Sequence, residues 1–308
     1  MSDVVICECF ARDGLQHEPV MVPLETKLAL IEKFTACGMK RIEATSYSNP
    51  KVIPQFADAS DVLAGISREE GVYYKATCAN VRAVERALAD TERGIGANEI
   101  SLLVSATDSH SLKNLKRTRQ DQWQNIADMV ATAGGKYRLV GTISMAFGCP
   151  FEGAVSQAEV LRDVEKFSAA GVQLIALGDT TGMADPNATR KLFRAVIQEF
   201  PQVIPVAHFH DSRGTGIVNY LAAYESGVRY FDCSMGGVGG HPSKVKYGEG
   251  FTGNVCTEDW VNLLETMGIS TGIDLEAMMS ASAYCESVLG RKLHSKVALS
   301  GINPLLKN

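Results

Sequence analysis

Basic charge is scarce in this 308-residue chain: 30 lysines and arginines stand against 35 acids, a formal net charge of −5. A nucleic-acid-binding surface shows as a basic excess or a basic stripe, so that class of partner is not expected. Long apolar runs are missing too. No stretch approaches the ~18 uninterrupted apolar residues of a membrane span, and Met1 to Leu30 carry acids and prolines where a signal peptide would carry an apolar segment. Membrane association and secretion are therefore not expected, and a cytoplasmic location is. The eight cysteines include no Cys-x2-Cys pair and no histidine partners at zinc-finger spacing. They read as reduced, buried thiols, Cys149 and Cys233 included. A phosphate-binding P-loop is also lacking. Gly236-Gly237-Val238-Gly239-Gly240 is too irregular for a dinucleotide fingerprint and reads as a hinge for the segment that begins at His241.

What is present is the composition of a globular enzyme, 45% hydrophobic and 21% charged, with a mean hydropathy of −0.01. Short β-branched runs alternate with longer amphipathic stretches. The runs are Val4–Glu8, Arg41–Thr45, Tyr73–Cys78, Glu99–Ser105, Tyr137–Met145, Gln173–Leu177, Pro205–His210 and Tyr230–Ser234. Helical patterns cover Leu24–Cys37, Val52–Gly65, Val81–Asp90, Leu112–Ala133, Gln157–Ala170, Asn187–Phe200, Gly216–Ser226 and Thr257–Met267. Glycine follows at Gly38, Gly171 and Gly227, where C-caps are expected.

Eight strands and eight helices in alternation imply an α/β fold, a closed (β/α)8 TIM barrel. The competitor, a doubly wound open sheet, would carry a glycine-rich turn after its first strand, where Arg12-Asp13-Gly14 stands. We expect one domain over residues 1–308, the barrel to about residue 270. A C-terminal appendage would follow, with Leu275–Leu289 as an extra helix and Leu293–Asn308 as a polar tail.

A barrel places its chemistry where strands end. Ligand-capable residues collect there: Arg12-Asp13-Gly14 after the first strand, Glu43 on the second, Gly178-Asp179-Thr180 after the sixth and His208-Phe209-His210 on the seventh. Alternate strand residues share a face, so the two imidazoles converge on one point opposite Asp13, as metal ligands do. Imidazole and oxygen donors without a thiolate cage favour magnesium or manganese, with zinc or cobalt as alternatives. An Arg12–Glu43 pair would hold the guanidinium for a developing oxyanion. Asn254, in a Gly-Asn pair, reads from the sequence alone as a turn, and His110 as a loop histidine.

Arg12-Asp13-Gly14-Leu15-Gln16, Ile42-Glu43-Ala44-Thr45-Ser46, Ser48-Asn49-Pro50-Lys51, Gly148-Cys149-Pro150-Phe151-Glu152-Gly153, Leu177-Gly178-Asp179-Thr180 and His208-Phe209-His210-Asp211 occur in order. Together they resemble the 3-hydroxy-3-methylglutaryl-CoA lyase family, among the metal-dependent barrel lyases and synthases with the Asp-Arg-Glu signature. The resemblance implies metal ligands at Asp13, His208, His210 and Asn254, a carbonyl-polarising Arg12 oriented by Glu43, and an acid at Asp179 beside the metal site. It implies a CoA thioester substrate and retro-Claisen cleavage to acetyl-CoA and a keto acid. A homodimer is the assembly often met among barrel lyases of this size, although no interface is legible here. Citramalyl-CoA is an alternative substrate; a Claisen-type synthase or aldolase, and a non-catalytic relative, are alternative functions.

Two positions depart from the family. Its loop cysteine, taken there as acid or base, is replaced by His241, in a segment to Asn254 that is about four residues longer, and Pro19 stands where a lysine is expected. His241 either takes over proton transfer, as an imidazole can, or belongs to a loop rebuilt for another substrate.

Overall fold

The computed structural model describes residues 2–240 and 253–306. Eight strands form one closed, all-parallel barrel in sequence order: β1 (Val5–Glu8), β2 (Arg41–Ser46), β3 (Tyr73–Cys78), β4 (Glu99–Ser105), β5 (Arg138–Ser144), β6 (Leu174–Asp179), β7 (Ile204–Phe209) and β8 (Tyr230–Cys233). Pairing of Val5 with Tyr230 closes β1 on β8. Between strands run α1 (Leu24–Ala36), α2 (Ala59–Gly65), α3 (Val81–Glu92), α4 (Asp108–Asn114), α5 (Arg119–Ala133), α6 (Gln157–Ala169), α7 (Pro186–Glu199) and α8 (Gly216–Glu225); α9 (Thr257–Thr266), α10 (Leu275–Leu289) and α11 (Lys296–Ser300) follow β8. The helix starts are chemically marked, since Asn80, Thr118, Asp185, Asp274 and Ser295 accept backbone N–H groups at the starts of α3, α5, α7, α10 and α11. Gly38, Gly171 and Gly227 all take positive φ, as their place after a helix requires.

Three sequence expectations change. Leu112–Ala133 is not one helix: Lys116 adopts φ 58°, and Thr118 caps a fresh start at α5. The helix expected from Val52 begins at Ala59, because Pro54 keeps Ile53 out of the helical region (φ −129°, ψ 85°) and starts only a short 3-10 turn, Pro54–Phe56. The expected C-terminal tail contains α11 and a 3-10 turn, Pro304–Leu306. Ser295 caps α11, and Asp259 of α9 accepts N–H groups from Lys296 and Val297, so two side chains replace bonds the short helix cannot make itself.

The barrel interior is divided. Towards the N-terminal strand ends, Val140, Leu174, Ala176 and Val206 form an apolar cluster on the β5–β7 side. The opposite side is ionic: buried Arg41 bonds Glu99 at 2.7 Å and Asp232 at 3.3 Å, and Arg138 also reaches Glu99. Charges this deep persist because each has a partner, and removing one partner would strand the other. Among the described residues no helix is long and apolar enough to cross a membrane.

Candidate metal centre and active site

The turn after β1 carries the first candidate residues. Phe10–Gly14 forms a π-helical turn, and Glu8 fixes it: its buried carboxylate accepts N–H groups from Phe10 and Met235 and the Thr257 hydroxyl. One side chain thus ties the Asp13 turn to the segment after β8 and to the start of α9. Burial pushes the Glu8 carboxyl up to about 8 despite those three donors.

Arg12 lies against Glu43, with Nη2 at 2.7 Å from Oε1, while Nη1 donates to Asp13 Oδ1 at 3.0 Å and Gln16 Oε1 at 3.2 Å. Its Nε is buried with no hydrogen-bond partner among the described residues. Thr77 donates to Glu43 at 2.6 Å. Burial would raise the Glu43 carboxyl, but Arg12 and Lys75 outweigh it and hold it ionised.

Asp13, His208 and His210 offer ligand atoms that lie within 4.8 Å of one another. His208 sits on β7 and His210 just beyond it, in a single antiparallel bridge with Asn254, their rings 5.5 Å apart. Asn254 Nδ2 donates to Asp13 Oδ2 at 2.6 Å and to the Val238 carbonyl at 3.2 Å. With the amide so oriented, Asn254 Oδ1 is left buried and without a hydrogen-bond partner among the described residues. A cation between these four side chains would satisfy that oxygen, so the donor set fits a divalent ion. Burial works to raise the Asp13 carboxyl, yet Arg12, His210 and His208 hold it well below the usual carboxylate range, in the ligating form. Gly239 allows this closeness: a Cβ there would meet Asn254 Nδ2 at 2.2 Å and Asp13 Oδ2 at 3.1 Å.

Asp232, which the sequence reading missed, supports the centre from below. Its Oδ2 lies 3.4 Å from His208 Nδ1, so Nε2 would be the atom left to ligate an ion. The signal was an acid inside the run Tyr230–Cys233 of a barrel strand. Lys75 and the His208 contact, with Arg41, overcome burial and keep Asp232 ionised. Asp232→Asn should weaken divalent-ion binding about 10–100-fold by loosening the imidazole, measured by equilibrium titration; unchanged affinity would make Asp232 purely a partner of Arg41 and Lys75. Cys7, Cys9 and Asp232 also lie within ligating distance of one another. Burial keeps the Cys9 thiol protonated, and two cations already occupy Asp232, so this group does not form a thiolate cage.

Asp179, the acid expected beside the metal, supports the site through its loop and its backbone. Its carboxylate accepts the N–H groups of Met183 and Ala184 at 2.8 and 3.0 Å, shaping the loop after β6, and burial raises its pKa to about 6. It reaches the histidines through its backbone carbonyl, which accepts the His210 N–H at 3.2 Å. His110 is a buried wall of the same cavity, its Nδ1 2.9 Å from Ser105 Oγ. His241 lies outside the described residues.

These groups open into a cavity of about 480 Å³ whose wall includes Arg12, Asp13, Lys75, His208, His210 and Asp232. Its position at the C-terminal ends of the strands is where barrel enzymes hold substrate.

Comparison with known proteins agrees with this geometry. The HMGL-like family model matches residues 3–285. The hydroxymethylglutaryl-CoA lyase YngG of Bacillus subtilis (strain 168) is 39% identical over 295 residues, 95% of each chain. The mitochondrial hydroxymethylglutaryl-CoA lyase of Mus musculus is 37% identical over 96% of this chain and 89% of its own. An HMG-CoA lyase structure from Acinetobacter baumannii, in complex with coenzyme A and 3-methylmalate, superposes with a TM-score of 0.91 at 39% identity, covering 98% of this chain and 96% of that one. On the full-length match, the ordered motifs and the shared barrel, this chain belongs to the HMGL-like family.

Proposed function

We propose that this protein is a divalent-metal-dependent carbon-carbon lyase that cleaves a 3-hydroxy acyl-CoA of the hydroxymethylglutaryl-CoA type into acetyl-CoA and a keto acid. The observation that carries this reading is the convergence of Asp13, His208, His210 and Asn254 beside the Arg12–Glu43 pair in one cavity. The lyase names of the relatives, and the coenzyme A and hydroxy acid held by the Acinetobacter enzyme, support it.

Asp13, His208, His210 and Asn254 would hold the ion, with magnesium or manganese favoured by oxygen and imidazole donors. When bound, such an ion lowers the pKa of a substrate hydroxyl and neutralises developing charge. In the cleavage the hydroxyl loses its proton, its oxygen becomes the ketone of the departing acid, and the C2–C3 bond breaks. C2 keeps the electron pair as the enolate of acetyl-CoA. Arg12, fixed by Glu43 and Gln16, lines the cavity and would offer its guanidinium to that enolate oxygen. The hydroxyl proton must go to a base and a proton must then reach C2, and we assign both transfers to His241 on its place in the sequence, where the resembled family has a cysteine taken as acid or base. Lys113 and Lys116 also line the cavity and supply cationic charge for the phosphates of coenzyme A. A cytoplasmic location is supported by eight buried cysteines, all unpaired.

Steady-state assay of keto-acid release from hydroxymethylglutaryl-CoA and citramalyl-CoA, with and without Mg²⁺ or Mn²⁺, tests the proposal. Turnover of at least one thioester, dependent on the ion, is expected. No turnover of either would refute it.

A further inference from the structure

The cavity continues below the candidate metal centre onto a polar floor that neither the ligand set nor Arg12 uses. Lys75 of β3, Ser101 of β4 and Thr142 of β5 all line it. The Ser101 and Thr142 hydroxyls are 2.9 Å apart, and Lys75 is only 3% exposed. The Lys75 ammonium lies between two carboxylates but is held closely by neither: Nζ is 3.5 Å from Asp232 Oδ2 and 3.7 Å from Glu43 Oε2, beyond the ordinary N–H···O range of 2.7–3.2 Å. Those carboxylates have nearer partners. Asp232 meets Arg41 and His208, and Glu43 meets Arg12 at 2.7 Å and Thr77 at 2.6 Å. Burial opposes charge on Lys75, and the Asp232 field outweighs it, so the cation persists.

A buried ammonium whose two carboxylate contacts are both long, in one cavity wall with two hydroxyls, can take a further anionic acceptor. An aliphatic branch seated there would leave the ammonium with those long contacts alone and one of the two hydroxyl protons without an acceptor. We infer that Lys75, Ser101 and Thr142 form a specificity-determining subsite for a carboxylate on the hydroxyl-bearing carbon of the acyl group, the branch that descends towards the barrel floor. The substrate class is then a 3-hydroxy acyl thioester carrying a carboxylate, in place of methyl, on that branch. This inference rests on the lyase reading above for the placement of the acyl group.

The test is calorimetric titration of the full chain, in EDTA, with malate and with 3-hydroxybutyrate. These hydroxy acids share one frame and differ in a carboxylate or a methyl on the hydroxyl carbon, and the chelator removes any preference due to a metal. Malate should bind at least about tenfold more tightly to the wild type through the charge-assisted contacts. That preference should disappear in Lys75→Met. It should also fall severalfold in Ser101→Ala and Thr142→Val, which leave every ionic partner in place and so keep the test valid if Lys75→Met does not fold. Equal binding of the two acids by the wild type, binding of neither, or a preference that survives in the folded variants overturns the subsite. Since titration needs no turnover, a protein that recognises malate through this floor yet cleaves no thioester would refute the lyase reading alone.

Discussion

Arg12→Lys should lower kcat by about 10²–10³, the usual effect of losing one preorganised oxyanion donor, with KM changed far less. The lysine keeps a positive charge opposite Glu43, so the buried carboxylate is not stranded. It cannot reproduce the planar fork that contacts Glu43, Asp13 and Gln16 together at the cavity wall. The loss therefore belongs to the step in which the enolate forms. Comparing kcat and KM of wild type and variant at saturating Mn²⁺ measures it, and a variant within about threefold of wild type would remove Arg12 from enolate stabilisation.

The second large effect concerns His210. His210→Ala removes one imidazole from the set that includes Asp13, His208 and Asn254, and should abolish detectable keto-acid release. Loss of a supporting partner of a ligand costs about 10–100-fold in metal affinity, so loss of the ligand itself should exceed about 100-fold. Stability should change little by comparison, because removing a cation-binding side chain leaves Asp13 still paired with Arg12. Residual turnover near wild type would move the metal elsewhere.

The barrel was legible because its punctuation is chemical. β-branched runs recur at the strands, capping side chains and positive-φ glycines mark several of the helix ends, and all eight strands fall within a few residues of their expected places. Asp13, Glu43, His208 and His210 were legible for a related reason: polar residues at strand ends have few structural uses in a barrel. Asn254 was legible only through the family resemblance, since nothing in a Gly-Asn pair itself signals an amide that bonds Asp13 and leaves its oxygen without a hydrogen-bond partner among the described residues. Asp232 and Lys75 escaped notice because barrel strands are buried on both faces, so alternation does not separate an inward charge from its neighbours. The break at Lys116 depends on one residue in a left-handed conformation, for which lysine carries no sequence signal. Asp179 was legible in position, next to the site, but not in its contacts: its carboxylate accepts the N–H groups of Met183 and Ala184, and its backbone carbonyl that of His210.

The most direct measurement is a calorimetric Mn²⁺ titration of the wild-type chain beside His210→Ala. A centre built from Asp13, His208, His210 and Asn254 predicts one ion per wild-type chain and no binding by the variant at the same concentrations. Equal affinity and stoichiometry in the two proteins would contradict it.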